Sequence, residues 1–377
     1  MSDNTGRQIY EELGVKPVIN AAGNMTLLGG SRPSAKVLEA MEQANRYFAD
    51  MEELLKRTGA IIAEMLGAEA AMVTPGCAAA IALSSAACMS GSDSQKIERL
   101  PDTTGMKNEI LIQARQRYKY DRCLTIFGAK LVEVGDANGA TPEQLSAAIN
   151  ANTAAIHYLA VWGTEGVVPL EEVIRIGKQR GVPVIVDAAS VVYPIETFRK
   201  YQKMGADLIC YGAKYFGALN STGILCGRKE LVDAAFLHSF IGFESSANRS
   251  LGRPLKVDRQ EVIAVVVALR EWLNADHAAR FAEHERKAQV IRQAIDGIPH
   301  VTVTWAADER GLSSGLRLTL DENALGKTAA QVIQALRDGT PSIWVRGGGN
   351  SFHVAVPLLT DEDVQVVAER LRALLAG

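Results

Sequence analysis

Cysteine is scarce in this chain, five in 377 residues (77, 88, 123, 210 and 226), and the five are scattered, mostly inside apolar runs. They predict reduced, buried thiols and argue against a disulfide framework. The six histidines (157, 238, 277, 284, 300 and 353) fall into no metal-ligand spacing, and His277 and His284 lie two helical turns apart on a segment that reads as charged surface. A zinc site wants convergent Cys/His sets, so no metal is expected. An apolar run long enough to cross a bilayer is missing, and the opening MSDNTGRQIYEELG has no apolar signal core. The expectation is a cytoplasmic protein that binds no membrane. Neither sign of charge dominates, with 40 Lys and Arg against 43 Asp and Glu for a formal charge of -3, so nothing calls for a nucleic-acid partner. GxGxxG and P-loop fingerprints are missing too, which counts against a nucleotide-binding domain.

What is present is the composition of a globular enzyme, 47% hydrophobic and 22% charged, in a chain longer than one ordinary core. Seven short apolar runs read as strands: AAMVT, EILIQ, KLVEVG, AAIHYLA, PVIVD, DLICY and TGILC. Helical segments at 116–127, 142–150, 170–180 and 195–204 alternate with them, which predicts an α/β fold with a mostly parallel, doubly wound sheet. The link before TGILC is too short for a crossover helix, so that strand is expected to run antiparallel. Ser34 caps a predicted helix through Tyr47, and Met51 to Leu66 repeats at helical spacing. Residues 91–108 read as a polar surface excursion, and 238–257 as a loop rich in Gly, Ser and Arg. Arg259 to Ile295 reads as one long helix with Ile263, Val267, Leu273 and Phe281 inward. Strands HVTVTW, SGLRLTL, SIWVR and FHVAV follow, with helices at 328–337 and 361–375, the last capped by Thr360 and Asp363. The expected organisation is an N-terminal arm and helix over 1–48 that joins the small domain, a large domain over 49–258 and a C-terminal small α+β domain over 259–377.

The chemistry concentrates in GADLICYGAKYFGALNSTGILCG, Gly205 to Gly227, where a small-residue turn between two apolar runs presents one amine, Lys214. The preceding run, Val182 to Val186, ends at Asp187. An acid and an amine at the ends of two buried strands point to one site. Earlier, TPGCAAAIALSSAACM puts a Pro-Gly turn before an alanine-rich helix. Its first residues, Gly76, Cys77 and Ala78, either offer free N–H groups to a phosphate or let helix and sheet pack closely. In the N-terminal loop, Asn24 and Thr26 either meet a ligand or stabilise the loop through local turns.

These pieces together resemble the pyridoxal phosphate enzymes of fold type I, and within them the group of bacterial selenocysteine synthase and D-glucosaminate-6-phosphate ammonia-lyase. The resemblance is carried by VIVDAAS, YGAK, NAAGNMTLLGG (Asn20 to Gly30), GAEAAMVTPGCAAA (Gly67 to Ala80) and GRPLKVDRQE (Gly252 to Glu261), and so spans most of the chain. It implies a seven-stranded large domain and pyridoxal 5'-phosphate as cofactor. Asp187 would contact the pyridine nitrogen, and Lys214 would form the Schiff base and later move the substrate's alpha proton. The cofactor phosphate would rest on Gly76, Cys77 and Ala78, with Thr222 also at the cofactor. Arg346, at the end of SIWVR, would take a substrate carboxylate, unless it only pairs with an acid on the small sheet, and Arg317, in the preceding strand, is either a second candidate or a solvated strand residue. Asn24 and Thr26 would line the entrance. A homodimer or higher homo-oligomer with shared sites is implied.

The resemblance is weakest at IQARQRYKYDR (Ile112 to Arg122), where relatives carry an IQRGHRNxYD-like pattern whose His stacks on the cofactor ring. Gln116 stands at that position, leaving Gln116, Arg117 or Tyr118 to serve. Tyr211 stands where a Ser often supports the phosphate, and Leu219 where Pro is common. The implied activity is a lyase acting at the alpha and beta carbons of a small amino acid or amino sugar acid with release of ammonia. An aminotransferase or racemase is the alternative, and a catalytically silent cofactor-binding protein a further one. Selenium transfer to a seryl-tRNA is not expected, for lack of a basic face.

Overall fold

The computed structural model describes residues 4–160, 165–307 and 313–376. The chain divides into two compact units, residues 32–274 and residues 1–31 together with 275–377. It opens with α1 (Asn4–Glu12) and β1 (Val18–Asn20), then α2 (Ala35–Asn45) and α3 (Met51–Leu66). β2 (Ala70–Thr74), α4 (Gly76–Ser90), α5 (Ser94–Arg99), β3 (Glu109–Gln113) and β4 (Lys130–Val134) follow. Next come α6 (Pro142–Ala148), β5 (Thr153–Leu159), α7 (Leu170–Arg180), β6 (Val184–Asp187), α8 (Thr197–Met204), β7 (Leu208–Gly212) and β8 (Gly223–Gly227). The larger unit closes with α9 (Lys229–His238), α10 (Phe240–Ser245) and α11 (Arg259–Leu273). The remainder is α12 (His277–Ile295), β9 (Val301–Ala307), β10 (Ser313–Leu320), α13 (Glu322–Leu325), α14 (Ala329–Asp338), β11 (Ser342–Trp344), β12 (Arg346–Gly348), β13 (Ser351–Ala355) and α15 (Asp361–Ala376).

All seven expected strands form one sheet of order β2-β8-β7-β6-β5-β3-β4. β3 to β7 pair in parallel, and β8 runs antiparallel to both β2 and β7, as its short link required. Helices cover both faces, so strands β5 to β8 are buried at every residue and show no polar alternation. The period of two still sorts them: Val184, Val186, Ile209 and Tyr211 enter one apolar cluster, Ile185, Leu208 and Cys210 the other. Each fully buried Ile or Leu contributes about 1.5–3 kcal/mol. α4 lies in the second cluster and is buried almost all round, which small residues permit. Its buried hydroxyls bond back to backbone carbonyls, Ser84 to Ala80 at 2.7 Å and Ser85 to Leu124 at 2.6 Å, so they carry no desolvation debt.

Several expectations are corrected. The segment 116–127 is not an α-helix but two 3-10 turns, Ala114–Gln116 and Asp121–Thr125, with Arg117 extended between them. The Asp121 carboxylate accepts from the Tyr118 N–H at 3.1 Å and the Arg117 side chain at 2.5 Å, local bonds that compete with helix formation. The 91–108 excursion holds α5, capped by Asp93, and buries Ile97, Leu100 and Met106. Within 238–257, Ser239 caps α10, which buries Phe240 and Ile241. The long helix breaks at 274–276, where Asp276 accepts the Ala279 N–H and starts α12. In α11 the buried stripe is Val262, Ala264, Val265, Val266 and Leu269, one position off the expected one, while Ile263, Val267, Leu273 and Phe281 are half-buried. His277 and His284 are buried, not at the surface. Because α11 packs on α2 and α3, residues 32–48 and 259–274 go with the larger unit, which moves the expected boundaries at 48 and 258.

In the smaller unit, β12-β13-β10-β9 form an antiparallel sheet. Leu316, Leu318, Leu320, Phe352 and Val354 join an apolar cluster with residues of α12, α14 and α15. The predicted strand SIWVR splits: β11 pairs in parallel with β1, and β12 pairs with β13. The cap of α15 forms as expected, Thr360 Oγ1 accepting from the Asp363 N–H at 3.1 Å while the Thr360 N–H donates to the Asp363 carboxylate at 2.9 Å.

Candidate active site

A parallel sheet covered on both faces leaves its strand ends as the place for chemistry, and a crevice outside the carboxyl ends is where open α/β sheets bind ligands. Asp187 is the last residue of β6, only 3% exposed, and opposite Cys210 of β7 in register. Its Oδ1 accepts the Ala189 N–H at 3.0 Å and lies 3.6 Å from the Cys77 Sγ; its Oδ2 accepts the Tyr118 hydroxyl. Desolvation, and then the Asp187 charge, push the Cys77 thiol well above its ordinary range, so it meets the carboxylate as a neutral donor.

Lys214 follows the end of β7 by two residues, in a 3-10 turn over Ala213–Phe216 that Gly217 closes at φ 93°. A side chain at 217 would strain that left-handed backbone. The Lys214 Nζ lies 3.4 Å from Asn220 Oδ1 and 5.3 Å from the Tyr215 ring centre. The turn is braced at its base, the Ala213 N–H donating to Thr222 O at 2.9 Å and the buried Thr222 hydroxyl to Leu219 O at 2.8 Å.

α4 begins at the same rim. Among the described residues no side chain caps it, so the N–H groups of its first turn keep their donors and the positive end of the dipole. Gly76 has φ +82°, and a Cβ at Gly223, the first residue of β8, would fall 2.5 Å from Gly76 C and 2.6 Å from Cys77 N. The start of β8 is thus pressed against the start of α4. The larger unit brings Gly76, Cys77, Ala78, Asp187, Lys214 and Thr222 to one rim of the sheet.

Gln116 is also in the larger unit, buried, with its amide spent on β5: Nε2 donates to Leu159 O at 3.0 Å and Oε1 accepts the Leu159 N–H at 3.2 Å. Arg117 is held by Asp121 and Glu133. The residue of this segment that reaches Asp187 is Tyr118. Its ring lies parallel to His157, 4° between planes and 6.0 Å between centres, and burial followed by the Asp187 charge raises its phenol. His157, at 0% exposure, is pushed down to about 4 by burial, and its Nδ1 has no hydrogen-bond partner among the described residues. Sequence reasoning passed over His157; the signal was a single imidazole in the otherwise apolar β5. Tyr211 faces the core against Phe198, 5.0 Å between ring centres, away from any phosphate role. Asn24, whose side chain donates to Gly30 O at 3.2 Å, the exposed Thr26 and the exposed Arg346 belong to the smaller unit.

A pyridine aldehyde bearing a phosphate needs an amine, a buried carboxylate and an anion-binding backbone, and the rim supplies all three. Gly223 lets β8 press against the backbone of Gly76 and Cys77, which fixes where the first-turn N–H groups of α4 stand, and those donors fit such a phosphate.

Comparison with known proteins agrees. Residues 34–368 match the model of the aminotransferase class-V family. The 5'-C-glycyluridine monooxygenase-decarboxylase of a Streptomyces species is 35% identical, over 97% of this chain and 92% of that protein. The D-glucosaminate-6-phosphate ammonia lyase of Salmonella typhimurium is 30% identical over 98% and 96%. The L-seryl-tRNA(Sec) selenium transferase of Moorella thermoacetica is 27% identical, over 74% of this chain and 54% of its own length. Among solved structures, D-glucosaminate-6-phosphate ammonia-lyase superposes with a TM-score of 0.85 at 27% identity, covering 100% of this chain and 99% of that one. A serine palmitoyltransferase with its pyridoxal phosphate shares the fold alone, with a TM-score of 0.59 at 15% identity over 98% and 96%. The chain belongs to the aminotransferase class-V family, as a pyridoxal phosphate enzyme of lyase type in the group of the ammonia lyase and the selenium transferases.

Proposed function

We propose that the enzyme acts on an α-amino acid carrying a hydroxyl on its beta carbon, converting it to a 2-oxo acid with release of ammonia. The names of the three relatives support this substrate class: glucosaminate, a glycyl group on the 5' carbon of uridine and a seryl group on a tRNA all place an oxygen beta to the amine. The observation that carries the proposal is the placing of Lys214 and Asp187 at the ends of neighbouring strands β7 and β6. The bound cofactor supplies an electron sink for the bond broken at the alpha carbon. Lys214 anchors it and moves the proton at that carbon, while Asp187, held by Ala189, Cys77 and Tyr118, fixes the pyridine nitrogen. The first-turn N–H groups at Gly76, Cys77 and Ala78, with Thr222 beside them, hold the phosphate, and Gln116 stiffens the wall near the ring through Leu159. Arg346 takes the substrate carboxylate, and Asn24 and Thr26 border the entrance. We place the enzyme in the cytoplasm as a homodimer; Tyr47 and Phe48, 80% and 93% exposed side by side, support a second copy there.

Incubation of the cofactor-loaded enzyme with a panel of β-hydroxy amino acids and hydroxylated amino sugar acids tests the proposal. A 2-oxo acid and ammonia in equal amounts are expected; pyridoxamine phosphate in stoichiometric amount would mean transamination, and loss of optical rotation alone racemisation. One further reading has its own support, oxidative decarboxylation, the reaction named for the 35% identical Streptomyces relative. Carbon dioxide release with uptake of oxygen would favour it.

A further inference from the structure

The short segment that carries Lys214 also carries two side chains that meet its amine. Asn220 Oδ1 lies 3.4 Å from the Nζ, and the Tyr215 ring centre 5.3 Å from it. An ammonium has only donors, so the amide atom that faces it is the oxygen. The face of an aromatic ring likewise attracts a cation far more than a neutral amine. Both contacts are therefore strongest in the state in which Nζ carries its full set of protons.

Both side chains are fixed where they stand. Asn220 sits inside a tight turn in which the Thr222 N–H and hydroxyl both donate to Leu219 O, at 3.1 and 2.8 Å. The next residue, Ser221, donates its hydroxyl to Oε1 of Glu261 in α11, and Oε2 of that carboxylate accepts the Asp258 N–H at 3.0 Å. The Tyr215 ring lies on the backbone of Gly212, where a Cβ would fall 3.1 Å from its Cδ2. Among the described residues the Asn220 amide makes no hydrogen bond besides the one to Lys214. Lys214, Tyr215 and Asn220 are all half-buried, so water competes only in part for the amine.

We propose that Asn220 and Tyr215 form a seat for the Lys214 ammonium, holding the amine once it has taken the substrate's alpha proton and aiming that proton for its return. The C–H bond at the alpha carbon breaks, its electron pair passes to the electron sink that the cofactor supplies, and the Nζ lone pair makes the new N–H bond. A cation thus appears at Nζ where the amide oxygen and the ring face already stand, and groups that act on developing charge speed the step that creates it. This rests on the reading of Lys214 as the group that moves the proton; what it adds is the pair of residues that holds the amine.

The test is a pH titration of the bound chromophore's absorbance in the cofactor-loaded enzyme and its variants. Asn220→Leu is expected to move the midpoint down by about one unit, the scale of a hydrogen bond to a charged group. Tyr215→Leu should move it down by about half a unit, and Tyr215→Phe, which keeps the ring face, should leave it in place. Asn220→Asp puts a negative charge beside the amine and should move the midpoint up. Opposite shifts from two changes at one position cannot come from a loosened turn. With substrate in deuterium oxide, exchange of the alpha proton should slow about tenfold in Asn220→Leu, with KM changed by less than about twofold. Midpoints that stay put, or that move the same way in Asn220→Leu and Asn220→Asp, would overturn the seat while borohydride still fixes the cofactor on Lys214. Fixation on another residue would instead remove the reading of Lys214, and the seat with it.

Discussion

In the seven-stranded sheet every residue of β5, β6, β7 and β8 is buried, whereas in the small sheet buried residues alternate with open ones along 316–320 and 351–354. A sheet with both faces covered can show polar groups only where its strands stop, so Asp187 and Lys214 sit at ends and in the turn beyond. A sheet with one open face can carry polar groups in rows across strands, as Arg346, His353 and Arg317 do. The first arrangement fixes a few atoms within a rigid frame; the second spreads charge over a surface.

The strongest way to break this contrast is Lys214→Ala. Turnover should fall by about a thousandfold or more while the melting temperature stays put, and borohydride should no longer fix the cofactor on the chain. Gly223→Ala tests the frame itself. A Cβ 2.5 Å from Gly76 C must displace the start of α4, so cofactor affinity should drop more than tenfold, with a stability loss of about 1–3 kcal/mol. Absorbance titration and a thermal melt would read the two effects.

Tyr118→Phe removes the hydroxyl from Asp187 and should weaken cofactor binding roughly tenfold, with a displaced pH profile of the bound chromophore. A merely structural Tyr118 would leave that profile unmoved. Acidification sharpens the contrast in a smaller way. His157 is pushed from 6.5 down to about 4 in the folded chain, so between those values the unfolded chain binds the proton more readily. Stability should therefore fall as pH drops from 6.5 toward 4, by up to about 1.4 kcal/mol per pH unit from this one group. Urea midpoints at pH 7 and pH 5 measure it, and His157→Gln should flatten part of the difference.

The same contrast governs what could be read from the residues alone. Strands buried on both faces spell themselves as unbroken apolar runs, which is why β5 to β8 and their Asp187 and Lys214 endings were legible, and with them the family and cofactor. The turns at 114–125 were not, because Asp121 and Arg117 replace helix by side-chain bonds that have no periodicity. In α11 a wide apolar stripe offered two faces of similar character, and only packing on α2 and α3 chose between them. The row Arg346–His353–Arg317 depends on register between strands separated in sequence, which no local pattern encodes. Gln116 was found by its place in a motif, while the bond pattern that ties it to Leu159 needed the folded backbone.

The reversal of β8 has a consequence for how far the enzyme can be altered. A parallel strand would enter this sheet at the opposite rim; β8 enters at the rim where β6 and β7 leave, so residues 213–222 return directly beside the amine they carry. Lys214, Thr222 and the seat of α4 therefore share one short tether whose length is fixed at both ends. Lengthening that tether by even a few residues would uncouple them, whereas insertions at the far rim of the same sheet, after β8, would leave the spacing of the three intact.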